Sequence, residues 1–400
     1  MKEQKSQRSE TLRQMRVIDV LNEMDRIIEI SSTQGLTARF LPLGATLTSL
    51  LVKDKYGKPV DVVLGFDNYK GQLLIQLPMR YHVEHEWWRT VRGATLTRQL
   101  ESLRGRPYAH QARHSSGVDD GQQAHWAIIV NAENVFRCLK QQGNAFVDYL
   151  NDTMYMGRTV GRVCNRIRHG RFNFENREIQ LPVNSPPHHL HGGPQGIALR
   201  EWKVVRQVST SVTFRITSSE ADDGYPGDAK IDVTYTVNDL NQLLIEHGAN
   251  CATSGVLNLT NHSYWNLDGS PSVKDHLLKV EADSYLPIDE DSFPTGEICP
   301  VNGSKFDFTE EKPLRSIVDE DDNIDIDNDF ILRAGRPPGH AVSLYSPVSG
   351  IKMEISTSYP VIHFYGGQHL KCKGKKGEIY GSGKGLALEA QFHSAAVNYI

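Results

Sequence analysis

The sequence lacks any run of about 18 apolar residues, the length that an α-helix needs to cross a bilayer. Its opening residues, MKEQKSQRSETLRQMR, are charged and contain no apolar core of the kind that a secretory signal requires. We therefore expect no membrane span and no secretory signal, and we predict a cytoplasmic protein.

Cysteine is scarce, and charge of one sign is not in strong excess. The five cysteines are scattered and form no CxxC pair, which excludes a disulfide framework and a zinc site of the usual spacing. The net charge of −4 and the pI of about 6.5 give no strong positive field for nucleic acid or for an anionic membrane. With 39% hydrophobic and 23% charged residues, the chain has the composition of a globular protein.

Long amphipathic helices are also missing, and short β-rich runs broken by turn residues take their place. Turn signals at Asp54–Lys58, Asn176–Arg177 and Asn238–Asp239 indicate hairpins. Strands with turn signals every 8–12 residues or so predict an all-β sandwich or barrel.

The strand pattern is interrupted once. Residues 1–24 have a weak helical spacing and are interpreted as an N-terminal extension, whereas residues 25–71 and 149–400 carry the strand pattern. Residues 72–148 are rich in His, Arg and Gln and show no steady period, so we predict an irregular, partly disordered insertion in a surface loop. Within this insertion, Ala127–Val130 could form a strand and Val135–Leu139 a short helix.

His262 lies between a predicted strand at Val256–Leu259 and a predicted turn at Asn266–Gly269. An imidazole gains and loses a proton near neutral pH, which suits acid–base chemistry. Tyr264 and Trp265 beside it offer apolar walls against which a ring could stack. The alternative is a structural histidine in a strand-to-turn corner.

Glu389 lies in the predicted strand GLALEAQ, whose two faces carry different side chains. Leu386 and Leu388 fall on one face, and Ala387, Glu389 and Gln391 fall on the other. A carboxylate inside an apolar strand costs free energy unless it is paired or functional. If the fold brings Glu389 close to His262, the two could act as a base and an acid on one substrate.

Two polar clusters could hold a ligand. Asn165 and Arg166 offer hydrogen-bond donors and an acceptor that suit sugar hydroxyls, and the alternative is a turn with solvated charges. The segment PPHHLHGGP contains His188, His189 and His191, which suggest a metal site but lack an acidic or thiol partner. We favour the interpretation that one of them is directed into a pocket by the glycine turn that follows.

Asp325, Asp327 and Asp329 alternate with other residues in NIDIDNDF. A calcium loop would require a glycine at the sixth position and a glutamate at the twelfth, and Ile324 and Ile326 interrupt that pattern. We therefore expect a single buried acceptor in this run, not an ion.

Several of these segments together resemble the aldose 1-epimerase (galactose mutarotase) family. They are GRTVGRVCNRI, HLHGGP, NHSYWNLDG, LPID with PTGE, and LEAQ with the following AVN. Their order and spacing fit the family over roughly residues 25–71 and 149–400. The resemblance implies a large antiparallel β-sandwich that binds a sugar in an open groove, without a metal or a cofactor.

The resemblance also implies roles for individual residues. His262 corresponds to the general acid of the family and Glu389 to its general base. The implied substrate-binding residues are Asn165, Arg166, His191, Tyr264, Asp327 and His363. The implied reaction interconverts the α and β anomers of free aldohexoses such as galactose and glucose, and we expect a monomer or a weak homodimer.

The sequence departs from the family pattern in four places. Residues 72–148 interrupt the segment that normally runs on from the early hairpin. Asn328 stands where the family usually has a histidine, and His363 stands where many members have a glutamine that faces the substrate. Because the sequence ends at Ile400, we expect the closing strand of the family to be missing.

Three other functions compete with this interpretation. An epimerase of phosphorylated hexoses would need further basic residues near Asn165, where only Arg162 and Arg168 stand. A sugar-binding protein without activity is consistent with the insertion but not with the presence of both His262 and Glu389. A glycosidase needs two carboxylates across the bond that it cleaves, and the sequence shows only one strong candidate.

Overall fold

The computed structural model describes residues 26–67, 145–336 and 340–399. The chain divides into two compact units, one of Met1–Asn22 with Tyr69–Asn151 and one of Glu23–Asn68 with Asp152–Ile400. The described element of the first unit is helix α1, Ala145–Asn151. None of the helices in the described ranges has the length and apolar character that crossing a bilayer requires.

The prediction for residues 1–24, and the prediction of an irregular insertion over residues 72–148 as far as residue 144, lie outside the described residues, together with its strand at Ala127–Val130 and its short helix at Val135–Leu139. Helix α1 extends past Tyr149, where we expected the strand pattern to resume. The first strand of the second unit after residue 151 begins only at Arg158. The segment AFVDYLN shows no strict alternation of apolar and polar residues, which is consistent with its helical conformation.

The second unit begins with an antiparallel meander of four strands. These are β1 Ile28–Ser31, β2 Thr37–Leu41, β3 Thr46–Lys53 and β4 Pro59–Asp61. The predicted turn between β3 and β4 is confirmed: Oδ1 of Asp54 accepts hydrogen bonds from the backbone N–H groups of Tyr56 and Lys58, each at 2.8 Å. Gly57 adopts the left-handed conformation that the turn requires, with φ of 78°.

A second sheet of four strands follows the order of the chain. It consists of β10 Lys203–Val208, β11 Ser211–Ser218, β12 Ala229–Val237 and β13 Leu243–Cys251. The predicted turn at Asn238–Asp239 joins β12 to β13 and is confirmed, because Oδ1 of Asn238 accepts from the N–H groups of Leu240 and Gln242. Burial alternates along β12, so one face of this sheet packs on the core.

The predicted turn at Asn176–Arg177 is wrong by one residue. Strands β7 (Arg171–Phe174) and β8 (Arg177–Gln180) are joined by Glu175 and Asn176. Both residues have positive φ, at 48° and 61°, as a two-residue hairpin turn of type I′ requires. Arg177 is already paired in the ladder and cannot be a central turn residue.

Among the described strands, the largest sheet has six antiparallel strands in the order β15, β26, β23, β20, β17, β18. Their bounds are Tyr264–Trp265, Leu386–Gln391, Val361–Tyr365, Asp327–Leu332, Ala282–Tyr285 and Cys299–Pro300. A further four-stranded sheet consists of β19 Lys312–Pro313, β16 Leu277–Val280, β21 His340–Tyr345 and β22 Lys352–Ser356.

Short elements complete the described part. Three further strand pairs are β5 (Arg158–Val160) with β14 (Thr260–His262), β6 (Arg166–Ile167) with β9 (His189–Leu190), and β24 (Cys372–Lys373) with β25 (Ile379–Tyr380). Helix α2 spans Glu220–Asp223. Single 3₁₀ turns lie at Arg168–Gly170, Ile197–Leu199, Leu314–Ile317, Lys375–Gly377 and Ala396–Asn398.

Within the described ranges, one apolar core unites the three four-stranded sheets and the six-stranded sheet into an all-β sandwich, as predicted, and a smaller cluster includes Ile167 of β6 and Phe172 of β7. The six-stranded sheet contributes Phe330, Phe364 and Leu388 to this core, and Asp327, Asp329, His363 and Glu389 lie on the opposite face. The prediction that Leu386 and Leu388 face away from Glu389 is therefore confirmed.

Truncation of Phe364 tests this core. Its ring centroid lies 6.2 Å from that of Phe308 and 6.3 Å from that of Phe330, and its side chain is fully buried. We expect Phe364→Ala to lower the free energy of unfolding by about 3–5 kcal/mol, measured by urea denaturation. The control is Tyr56→Ala, because Tyr56 is 79% exposed and its loss should cost less than about 0.5 kcal/mol. Equal effects of the two substitutions would contradict the packing.

Candidate active site

His262 lies at a crossing between two strand pairs. It ends β14, which pairs with β5, and the chain then passes to β15, which pairs with β26, the strand of Glu389. The strand predicted over Val256–Leu259 is wrong in its position, because β14 begins at Thr260. Asn258 instead forms a single parallel bridge with Val163. His262 therefore lies next to β15, which is an edge strand of the six-stranded sheet.

His262 and Glu389 meet although 127 positions separate them in the sequence. Nε2 of His262 lies 3.5 Å from Oε1 of Glu389, and the two residues are only 5% and 2% exposed. Among the described residues, Nδ1 of His262 and Oε2 of Glu389 are buried without a hydrogen-bond partner. Buried polar atoms without partners are costly, and they are typical of sites that bind a ligand.

Burial raises the pKa of the Glu389 carboxyl, and the positive charges of His262 and His363 act in the opposite direction. The net pKa is above the ordinary value for glutamate. A carboxylate with a raised pKa is a stronger base than one in water, which suits it to proton abstraction.

A glycine turn positions His191. His191 itself has φ of 52°, and Gly192 and Gly193 have φ of 82° and 81°. A Cβ atom on Gly192 would lie 1.9 Å from the carbonyl oxygen of Gly161, so only glycine allows this close approach. Nδ1 of His191 accepts a hydrogen bond from the backbone N–H of Asn165 at 3.2 Å. Nδ1 is therefore unprotonated, and Nε2 carries the ring proton and is a donor.

Burial is the main cause that lowers the pKa of His191 well below its ordinary value, and the charges of His262 and Arg166 add to it. The ring is therefore neutral at pH 7. It stands edge-on to His262, with centroids 5.4 Å apart.

Asn165 and Arg166 occupy the adjoining corner. Asn165 has φ of 59°, and its side-chain oxygen accepts from the N–H of Arg166 at 2.9 Å. Nη1 of Arg166 lies 3.8 Å from Oδ2 of Asp327. Arg166 and Asp327 remain partly exposed, so both can reach a ligand.

Asp327 and His363 are in contact on neighbouring strands. Nε2 of His363 lies 3.0 Å from Oδ1 of Asp327, and its Nδ1 lies 2.8 Å from Oδ1 of Asp329. Burial lowers the pKa of His363, but the hydrogen bonds and charges of these two carboxylates raise it to about 10. For Asp327, burial raises the pKa, and the contact with His363 and the charge of Arg166 more than offset it, so the net pKa is lowered.

Aromatic side chains surround the pair of His262 and Glu389. The Tyr264 ring lies 5.0 Å from the His262 ring and is buried, and that burial raises the pKa of its hydroxyl well above the usual value. Tyr155 was missed in the sequence, although its ring lies 4.8 Å from His191 and 6.4 Å from His262. No motif marks Tyr155, so only the fold identifies it.

The remaining histidines and aspartates of the two clusters lie apart. His188 packs on Phe293 with ring centroids 5.0 Å apart, and His189 is hydrogen-bonded to the Tyr225 hydroxyl at 2.8 Å. Asp325 pairs with Lys305. Within the described ranges, no group of three or more His, Cys, Asp or Glu side chains is arranged to hold a metal ion.

Comparison with known proteins identifies the family. The aldose 1-epimerase family model matches residues 130–400. Galactose mutarotase from Homo sapiens is 37% identical over 254 residues, which is 62% of this chain and 74% of the human protein. Aldose 1-epimerase from Escherichia coli (strain K12) is 33% identical over 258 residues, 63% of this chain and 75% of that protein.

A solved structure agrees. The crystal structure of a GalM/aldose epimerase homologue from C. elegans has a TM-score of 0.71 and 40% sequence identity, and the match covers 93% of this chain and 91% of that one. The chain belongs to the aldose 1-epimerase family. The predicted family and the predicted β-sandwich of the galactose mutarotase type are thus confirmed.

Proposed function

We propose that this protein is an aldose 1-epimerase that interconverts the α and β anomers of free hexoses such as galactose and glucose in the cytoplasm. The observation that carries the proposal is the buried pair of His262 and Glu389, 3.5 Å apart, each with an unpartnered polar atom. The sequence relatives named galactose mutarotase and aldose 1-epimerase support it.

Ring opening requires two proton transfers at neighbouring oxygens. Glu389 takes the proton of the C1 hydroxyl, and the electrons of that O–H bond form the C1 carbonyl. The bond between C1 and the ring oxygen breaks, and His262 donates a proton to that oxygen. Rotation about C1–C2 presents the other face of the aldehyde, and the reverse transfers close the ring to the other anomer.

The short distance between His262 and Glu389 suits this chemistry. Both oxygens that exchange protons are bonded to C1, so the acid and the base must converge on one carbon atom. An inverting glycosidase separates its two carboxyl groups by about 6.5–9.5 Å to admit a water molecule. Here one carboxylate and one imidazole lie 3.5 Å apart.

The surrounding groups hold the rest of the sugar. Arg166 offers charged donors, Nε2 of His191 a neutral donor, Asn165 an amide and Asp327 a carboxylate acceptor. Tyr264 provides an aromatic wall beside His262. Groups fixed in this way restrict the motion of the open-chain aldehyde to the rotation about C1–C2.

The nearby arginines do not favour a phosphorylated substrate. The guanidinium group of Arg162 is buried and donates to the carbonyl oxygens of Pro226, at 2.7 Å, and Gly227. Arg168 pairs with Asp289 at 3.1 Å. Both side chains are engaged within the protein, so a phosphate would have to compete with these contacts.

Polarimetry tests the proposed function. Purified protein added to freshly dissolved α-D-galactose or α-D-glucose should accelerate the approach to the equilibrium rotation in proportion to protein concentration. α-D-Glucose 6-phosphate in the same buffer is the comparison substrate and should show little acceleration. No acceleration with either free sugar would refute the proposal, and a preference for the phosphate would favour the hexose-phosphate epimerase instead.

A further inference from the structure

His363 lies on β23 between two carboxylates. The register of the sheet sets Asp329 on β20 and Glu389 on β26 directly opposite His363 on its two sides. Both ring nitrogens are occupied, Nδ1 by Asp329 at 2.8 Å and Nε2 by Asp327 at 3.0 Å. The residue is only 5% exposed. No ring nitrogen is left to bind a sugar hydroxyl.

Asp329 is fixed from its other side. Its Oδ2 accepts from the backbone N–H of Ser394 at 2.6 Å, and its Oδ1 accepts from the Ser394 hydroxyl at 2.9 Å. Nε2 of Gln391, on the strand of Glu389, lies 3.4 Å from the same oxygen. Asp329 is therefore a rigid anchor that orients the imidazole ring.

The carboxylates at both nitrogens determine the charge of His363. The side-chain nitrogen of Asn165 also lies 3.3 and 3.4 Å from the two ring nitrogens, but the carboxylates are closer, at 2.8 and 3.0 Å. A carboxylate accepts hydrogen bonds, so each nitrogen carries a proton, and a ring with two N–H groups is an imidazolium. One cation thus stands between two anions, and it is beside the glutamate to which we assign the role of base. The titratable and charged groups that face this network are Asp327, Asp329, Glu389, Arg166, His191, His262 and His369.

We infer that His363 is a permanently charged positioning residue that holds Asp327 in place for the sugar and keeps Glu389 in its carboxylate form. The inference rests on the proposed function for its effect on catalysis, but its claim about charge does not. His363 is hydrogen-bonded to Oδ1 of Asp327, and Arg166 lies 3.8 Å from Oδ2 on the other side. These two contacts orient the Asp327 carboxylate. The positive charge on the strand next to Glu389 favours the ionised base.

The dependence of kcat/KM on pH distinguishes an electrostatic effect of His363 on Glu389 from a merely structural role of His363. Glu389 is active when ionised, so kcat/KM falls on the acid side as it gains a proton. Removal of a neighbouring cation raises the pKa of Glu389. In His363→Gln, we therefore expect the acid limb of kcat/KM to move to higher pH by about 1 unit, and KM for galactose to rise by about tenfold or more as Asp327 loses its partner.

The double variant His363→Gln/Asp329→Asn controls for stability. The single variant leaves the Asp329 carboxylate buried without a cation, which could unfold the protein. The double variant removes both charges, so it should recover thermal stability and retain the raised KM. Its acid limb should move back toward the wild-type pH, because the Asp329 carboxylate, which raises the pKa of Glu389, is also absent. A double variant with the wild-type KM would overturn the inference, and so would a folded His363→Gln variant with the wild-type acid limb.

A direct readout of charge is independent of catalysis. In protein labelled at the histidine rings, the NMR signal missing from the His363→Gln variant belongs to His363. We expect that signal to stay at its protonated position up to about pH 9, because the pKa is raised to about 10. A midpoint near the ordinary value of about 6.5 would overturn the inference. Failure of wild-type mutarotation would instead refute the proposed function and leave this result standing.

Discussion

Substitution of glutamine for Glu389 is expected to lower kcat for mutarotation by about 10²–10⁴-fold and to leave the fold intact. Glutamine preserves the shape of the side chain, but its amide cannot accept the proton of the C1 hydroxyl. Glu389 lies 3.5 Å from His262 and is 2% exposed, so no other carboxylate can enter its place without repacking the sheet. Stopped-flow polarimetry or a coupled dehydrogenase assay measures the loss.

The thermal stability of Glu389→Gln provides an internal check. Because burial raises the pKa of Glu389, ionisation of this residue lowers the stability of the folded state at pH values above the ordinary pKa of about 4.5. Glutamine removes that unfavourable charge, so the variant should melt at the same or a higher temperature at pH 7. The matched control is Glu246→Gln, on the exposed face of β13, which should change neither kcat nor stability. Near-normal kcat in Glu389→Gln would exclude Glu389 as the base.

The alternating pattern of the sequence was sufficient to predict the strand that carries Glu389 and the face of that strand on which Glu389 lies. Leu386 and Leu388 alternate with Glu389, and the structure buries the leucines in the core while Glu389 lies on the opposite face. Period alone determines the face of a strand, because side chains alternate strictly. It does not determine which strand lies next to which. The contact between Glu389 and His262 was therefore predictable only through resemblance to a family.

Short-range detail was less predictable. The turn at Glu175–Asn176 was placed one residue late, because Asn-Arg and Glu-Asn are both plausible turn pairs until the strand register selects one. The strand predicted over Val256–Leu259 begins later because Asn258 pairs singly with Val163, a contact distant in sequence. Neither error affects the prediction that His262 and Glu389 are close together.

Asp329 is the main residue of the site region that sequence analysis did not assign. Asp327 and Asp329 are separated by one residue, so alternation predicts that they share a face of β20. Asp327 lies near Arg166 and is partly exposed to a ligand, whereas Asp329 accepts a hydrogen bond from Ser394 and is buried. His363 was assigned to substrate binding by resemblance. Its two nitrogens face carboxylates, a relation that depends on the register of three strands and is invisible in a linear pattern.

His262→Asn is expected to reduce kcat by about 10²–10⁴-fold with little change in KM. Asparagine offers an amide near the position of the ring but cannot donate and recover a proton near neutral pH. A group that acts only in the transition state lowers kcat and kcat/KM equally when it is removed. The matched control is His169→Asn, since His169 is exposed and has φ of 53°, a conformation that asparagine tolerates. A loss confined to KM would assign His262 to sugar binding.

The double variant Glu389→Gln/His262→Asn tests whether the two residues act as a unit. Ring opening needs the proton removed from the C1 hydroxyl and the proton given to the ring oxygen in one event, because either transfer alone leaves a charged sugar. Once one partner is absent, the other has little left to contribute, so residues that act together show grossly non-additive losses. We expect the double variant to be about as slow as the slower single variant. If the two losses multiplied instead, the two groups would act in separate steps, and the paired exchange that their 3.5 Å contact supports would be wrong.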